Sequence, residues 1–226
     1  MSYTNGLDNP QLYFQTKLYN GNGGTQSITL DGSEDMQVDW CWIICRSAVE
    51  GHVLFDSVRG VQKAINSNTT STEATSSNYL TAFGTDGFSV GSSGLVNANS
   101  ETYVSWNWKA GGSGSSNSNG SITSSVSVST DAGFSIVSYT GTEANATVGH
   151  GLGVAPKMII QKNRIDAQPW WVYHSSIGAG GQLRLSGTDA EGSDGGVLWN
   201  STAPTSTVFS LGDNGGANGS SDSHIS

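Results

Sequence analysis

Four histidines, two cysteines and 18 acids are the residues of this 226-residue chain whose types could do chemistry. His52, His150, His174 and His224 lie far apart, and none falls in a metal-ligand spacing. No Gly-x-Ser-x-Gly elbow and no Gly-Lys-Ser/Thr phosphate loop occurs. Gly149-His150-Gly151-Leu152-Gly153 is glycine-rich, yet it leads towards a strand pattern and not a helix, so it reads as a turn. With no positioned nucleophile, base or metal, the expectation is a protein that is not an enzyme, with no catalytic residue and no cofactor.

Two places could still bind something. Asp31, Glu34 and Asp35 stand in an acidic loop ahead of a strand and could offer oxygen ligands to calcium, although their spacing matches no standard calcium loop and a solvated loop is the simpler reading. Trp170 and Trp171 are adjacent on a predicted strand, so their rings point to opposite faces. Trp171 shares a side with Tyr173 and is assigned to the core. Trp170 falls on the side of His174, near Asp166 and Gln168. Sugars stack their apolar faces on such rings while amides and carboxylates take the hydroxyls, which makes Trp170, His174, Asp166 and Gln168 the candidate glycan contacts. A Trp170 buried between sheets is the plainer alternative. Cys41 and Cys45 are four apart on a predicted strand, which puts their Cα atoms about 13 Å apart, beyond disulfide reach. They read as free thiols, one buried and one near a strand end.

The elements that would position these residues are strands. Charged residues are 12% of the chain, Gly is 31 of 226 and Ser and Thr abound, a composition of turn formers and extended segments. Seven Trp, seven Tyr and six Phe argue against disorder. Trp40 to Ile44 is an unbroken apolar run, which predicts a central strand buried on both faces. A partner strand follows at 52–58. Over 103–109, Val104, Trp106 and Trp108 share one face and Ser105, Asn107 and Lys109 the other, a half-buried strand. Trp40, Trp42, Trp106 and Trp108 read most simply as core and packing residues.

The chain also repeats itself. Arg46 and Arg164, Phe55 and Tyr173, and Gly60 and Gly178 are each 118 apart (164 − 46, 173 − 55, 178 − 60). Phe14 and Phe134 are separated by 134 − 14 = 120, and Phe88-Ser89-Val90-Gly91 returns as Phe209-Ser210-Leu211-Gly212 at 209 − 88 = 121. The fold class expected is therefore all-β, with two tandem β-sandwich modules related by internal duplication. A polar lead-in covers 1–11, module one 12–109, a Gly/Ser linker 110–121 and module two 122–226, whose last strand stops opposite Ser105 and looks incomplete.

Formal charge is −9, with no basic stripe, so nucleic acid is not an expected partner. No apolar run is long enough for a membrane span, and the first residues lack the pattern of a secretory signal.

The strings FQTKLYNGNGGTQSITLDGSEDMQVDWCWIICRS, HVLFDSVRG, TDGFSVGS and YVSWNWKAGG, followed by GFSIVSYTG, VGHGLGVAPKMIIQKNR and WWVYHSSIG, resemble a repeat family in large virion surface proteins of marine bacteriophages, known as tail-fibre or structural proteins. The resemblance covers nearly the whole chain. It implies a jelly-roll, lectin-like sandwich on the virion surface, other virion proteins as partners, a homo-oligomer with a trimer favoured, and host surface glycan as a ligand. It transfers no catalytic motif. The chain departs from the family pattern at Val38, where Pro is common, and at Ile44-Cys45, where Lys-Asn is common, as at Lys162-Asn163. A surface lined by that polar pair would be missing from module one. The alternatives are a purely structural head decoration or cement protein, and a carbohydrate-binding module of a bacterial protein.

Overall fold

The computed structural model describes residues 9–226. Its residues divide into two units: the first comprises residues up to Asn66 together with Ala74–Ser113, and the second Ser67–Glu73 together with Gly114–Ser226. The lead-in read over 1–11 lies outside the described residues as far as residue 8; Pro10–Leu12 form a single 3-10 turn capped by the Asn9 side chain.

In the first unit the strands are β1 (Phe14–Asn20), β2 (Gln26–Thr29), β3 (Trp40–Cys45), β4 (Val53–Asp56), β5 (Lys63–Asn66), β6 (Ala74–Thr75), β7 (Leu80–Gly84) and β8 (Gly87–Val90); then come the one-turn helix α1 (Gly94–Asn97) and β9 (Thr102–Trp108). One antiparallel sheet runs β1-β9-β3-β4-β5-β6 and a second runs β2-β8-β7. Between them lies an apolar core that includes Tyr19, Cys41, Ile43, Phe55 and Tyr103 from the first sheet and Ile28, Leu80, Phe88 and Val90 from the second.

In the second unit the elements are β10 (Ser115–Asn117), β11 (Ser124–Ser129), β12 (Phe134–Thr140), β13 (Ala146–Gly149), β14 (Met158–Asn163), β15 (Trp171–His174), β16 (Gly181–Arg184), β17 (Gly192–Ser193), β18 (Val208–Leu211), α2 (Gly215–Asn218) and β19 (Ser223–Ile225). Their sheets run β10-β11-β12-β19-β14-β15-β16-β17 and β13-β18, around a core with Val137, Tyr139, Ile159, Trp171 and Tyr173 on one side and Val148, Phe209 and Leu211 on the other. The fold is all-β, of sandwich type.

The strand order β1-β9-β3-β4-β5-β6 reappears as β12-β19-β14-β15-β16-β17, and the registers carry the spacings read in the sequence. Leu54 faces Ile65 and Val172 faces Leu183, each residue 118 beyond its counterpart; Cys45 faces Tyr103 and Asn163 faces His224, 118 and 121 beyond. One side chain anchors each helix turn in the same way. Asn97 donates to the carbonyls of Gly24 and Gly91 and accepts from Asn22 N; Asn218 donates to the carbonyls of Ala144 and Gly212 and accepts from Thr142 N. Gly21 and Gly141 let the chain pass these helix ends, because a Cβ there would stand 2.0 Å from Ala98 O and 2.2 Å from Gly219 O.

Three expectations change. The stretch 110–121 is not a free linker: Ala110 N and Gly112 N donate to Asp39, and Ser115–Asn117 is a strand paired to β11. β3 is not buried on both faces; Cys41, Ile43 and Cys45 are inside while Trp40, Trp42 and Ile44 are half-buried, and β4 is the strand covered on both sides. Both cysteines, not one, are buried, because they share the inner face of β3.

Candidate functional site

On β9 the alternation read from the sequence holds, but the face turned inwards is the polar one. Tyr103, Ser105 and Asn107 are buried while Val104, Trp106 and Trp108 are half-buried. Tyr103 decides this. Its ring stacks on Tyr19 at 5.2 Å, and its hydroxyl donates to Gly94 O and accepts from Ala98 N. Asn107 then turns inwards with it and donates to Gln15 O and Ser105 Oγ. A buried polar side chain is tolerated where such partners exist.

The rings therefore occupy the outer face of β1, β9 and β3, in three rungs set by register. Phe14, Trp108 and Trp40 lie across the first, Thr16, Trp106 and Trp42 across the second, and Leu18, Val104 and Ile44 across the third. Phe14 and Trp108 have centroids 4.8 Å apart, and Trp42 and Trp106 are 6.0 Å apart, both tilted. Phe14 is 37% and Leu18 60% exposed. By strand geometry the three rungs span about 10 by 14 Å. On the β4 side the face is closed by Asp56, whose carboxylate is held by Arg59 in a buried ion pair. The equivalent rows of the second unit hold Phe134, Ile136 and Ser138 on β12 and Met158, Ile160 and Lys162 on β14, so the aromatic face belongs to the first unit alone.

The glycan contacts read from the sequence do not form a surface platform. Trp170 is only 1% exposed, so its ring faces cannot take a sugar; the plainer alternative of a buried tryptophan is what the structure has. Its backbone N donates to Ser186 Oγ and its carbonyl accepts from Leu185 N, which sets the start of β15. His174 is half-buried and its Nδ1 accepts from Ser176 N in a turn. Asp166 is exposed, and its carbonyl accepts from Gln168 N. Among the described residues no group of three or more His, Cys, Asp or Glu side chains could hold a metal ion. Asp31 pairs with Lys17 at 3.0 Å, Glu34 accepts from Asn9, and these loop carboxylates do not converge with Asp35.

Lys162 and Asn163 do not line a surface either, since both are fully buried. Asn163 accepts from Ile165 N and Asp166 N and donates to Asp222 and to Gly215 O, which folds the loop after β14. Lys162 Nζ donates to the carbonyls of Asn163 and Asp166, and burial holds its pKa down at about 8. Gln161 donates to His224 Nδ1 at 2.9 Å. Burial lowers the His224 pKa to about 4, against the pull of Asp222 and the Gly219 carbonyl. His150 is likewise lowered by burial, its Nδ1 accepting from Leu152 N in the Gly-rich turn. These groups are tied into turns and helix ends.

Residues 9–226 match a family described as a domain of unknown function (DUF7483). The chain belongs to that family. The match runs through both units, so the family's domain is the pair of sandwiches and not one of them. No curated protein and no solved structure matches the chain.

Proposed function

We propose that this DUF7483 chain is a non-catalytic surface module of a bacteriophage virion, a tail-fibre or spike segment, and that it meets host surface glycan through the aromatic face of its first unit. The observation that carries the reading is the placement of Phe14, Trp108, Trp40, Trp106 and Trp42 on adjacent rungs of one sheet face, partly open to solvent. Hydropathy alone would send such rings inwards; a sandwich that turns Ser105 and Asn107 in and four indoles out carries a surface for flat apolar ligands. The apolar faces of pyranose rings are of that kind. The virion assignment rests on the resemblance of the repeat strings, and the pairing of two sandwiches in one chain suits a segment built from repeated modules.

The second reading, a structural decoration or cement protein, has its own observation: the third rung, Leu18, Val104 and Ile44, offers no hydroxyl partner, as a protein-covered face would not need one.

Tryptophan fluorescence titrations with purified bacterial surface polysaccharides test the choice, alongside competition for phage adsorption by the soluble protein. The glycan reading expects a saturable shift with at least one polysaccharide, weakened about tenfold in Trp106→Ala and Phe14→Ala, while Trp170→Phe binds as the native protein does. No saturable shift with any polysaccharide, and no block of adsorption, would leave the structural reading in its place.

A further inference from the structure

The segment 67–73 belongs by its packing to the second unit, and one residue fixes it there. Glu73 receives two parallel bonds from Arg164, Nε to Oε2 at 2.9 Å and a terminal guanidinium nitrogen to Oε1 at 3.0 Å. Glu73 N donates to Arg164 O at 2.8 Å. Arg164 itself sits just past β14, where its N donates to Ser223 O and its guanidinium reaches Ser138 Oγ. The two charged side chains are 15% and 14% exposed.

Each part of this clamp has a counterpart at the repeat spacing, and both counterparts are open. Arg46 follows β3 as Arg164 follows β14, and its N donates to Thr102 O, the counterpart of Ser223 O. Arg46 is exposed and forms no ion pair among the described residues, and the residue in the place of Ser138 is Leu18, 60% exposed. On the other side, β5 and β6 bracket 67–73 as β16 and β17 bracket 185–191, with Lys63 facing Thr75 and Gly181 facing Ser193 in the same register. Both connections are seven residues long, and both end on glutamate, Glu73 and Glu191. Glu191 is exposed and forms no ion pair among the described residues.

We propose that a second copy of this chain completes both: Glu191 of one copy closes on Arg46 of the next as Glu73 closes on Arg164, so that copies join head to tail. Each copy then presents one arm, residues 185–191, and one receiving notch, Arg46 with Leu18. The incoming arm covers Leu18, and the carboxylate meets the guanidinium fork in the bidentate geometry that the pair prefers. Such a contact uses two different patches, so it closes into a ring where the rotation per copy divides a full turn and otherwise runs on as a filament. This rests on the homo-oligomer that the family resemblance implies and does not depend on glycan binding.

Sedimentation velocity over a concentration series tests it, with the native chain, Arg46→Glu, Glu191→Arg and the double reversal. Both positions are exposed, and near-UV circular dichroism checks that each variant folds. The expected result is a native mass that rises with concentration, self-association about tenfold or more weaker in each single variant, and recovery in the double reversal. A native chain that stays at one-chain mass throughout overturns this contact and the homo-oligomer reading together. A native chain that assembles equally well with either single reversal, or whose double reversal fails to recover, overturns the contact and leaves the oligomer standing.

Discussion

His224 stands in the second unit where Tyr103 stands in the first, and the two rings do the same thing with different acid–base consequences. Tyr103 stacks on Tyr19 at 15° between planes, and His224 stacks on Tyr139 at 15°. The imidazole is neutral when buried, its Nδ1 accepting from Gln161, and its pKa of about 4 lies below the ordinary 6.5. Between those values the unfolded chain holds a proton that the folded chain does not, so acid favours unfolding. The stability is fully present above pH about 6.5 and is lost as pH falls towards 4, a loss of about 3 kcal/mol from this group. Urea unfolding at pH 7 and pH 4.5 should show it, and His224→Tyr, which copies the first unit, should lose less stability over that interval. An unchanged interval would mean that other groups carry the acid sensitivity. Asn218 gives a second residue-level expectation. Its side chain satisfies one amide and two carbonyls, of which only the Gly212 carbonyl belongs to a buried residue, so Asn218→Ala breaks three bonds, strands one buried group and should cost about 2 kcal/mol. The urea midpoint reads it, and Asn218→Asp should fall between, since a carboxylate keeps the acceptor and loses the donors.

At the scale of elements, periodicity told which residues share a face and hydropathy misjudged which face is inside. The alternation in 103–109 is correct residue by residue, yet the rings of Trp106 and Trp108 look outwards because Tyr103 must reach Tyr19, Gly94 and Ala98. Those partners are 84, 9 and 5 residues away along the chain (103 − 19, 103 − 94, 103 − 98), and a window of seven residues contains only one of them. Trp170 is the converse case: the plainer reading of a buried ring is what the structure has, and the sugar platform built on its side of the strand is not. The orientation of β3 is open to a direct chemical test. With Cys41 and Cys45 inside, and burial raising the Cys41 thiol well above its ordinary pKa, a thiol-specific reagent should label neither cysteine in the folded protein and both at once in denaturant. Rapid labelling in native buffer would mean that the tryptophans, and not the cysteines, face the core.

For the whole molecule, the repeat spacings of 118 and 121 were readable because equivalent strands keep equivalent registers, and any insertion must fall in a loop. What could not be read was that a loop bracketed by β5 and β6 packs with the other half of the chain. Nothing in SNTTSTE distinguishes it from a solvated connection until Glu73 is seen on Arg164. Sequence position and structural membership therefore part company at 67–73, and this has a measurable consequence. Glu73→Ala removes a bidentate pair that is about 85% covered and leaves the Arg164 guanidinium beside Ser138 alone. Partial exposure discounts the effect, so the expected cost is about 1–2 kcal/mol. That cost should fall on the second unit although the substitution lies in the first half of the sequence. Hydrogen exchange followed by mass spectrometry separates the two: amides of β14 and β19 should lose protection in the variant while those of β3 and β9 keep theirs. If β3 and β9 loosened equally, residue 73 would be acting through the first unit, and the division of the chain at 67–73 would have to be redrawn.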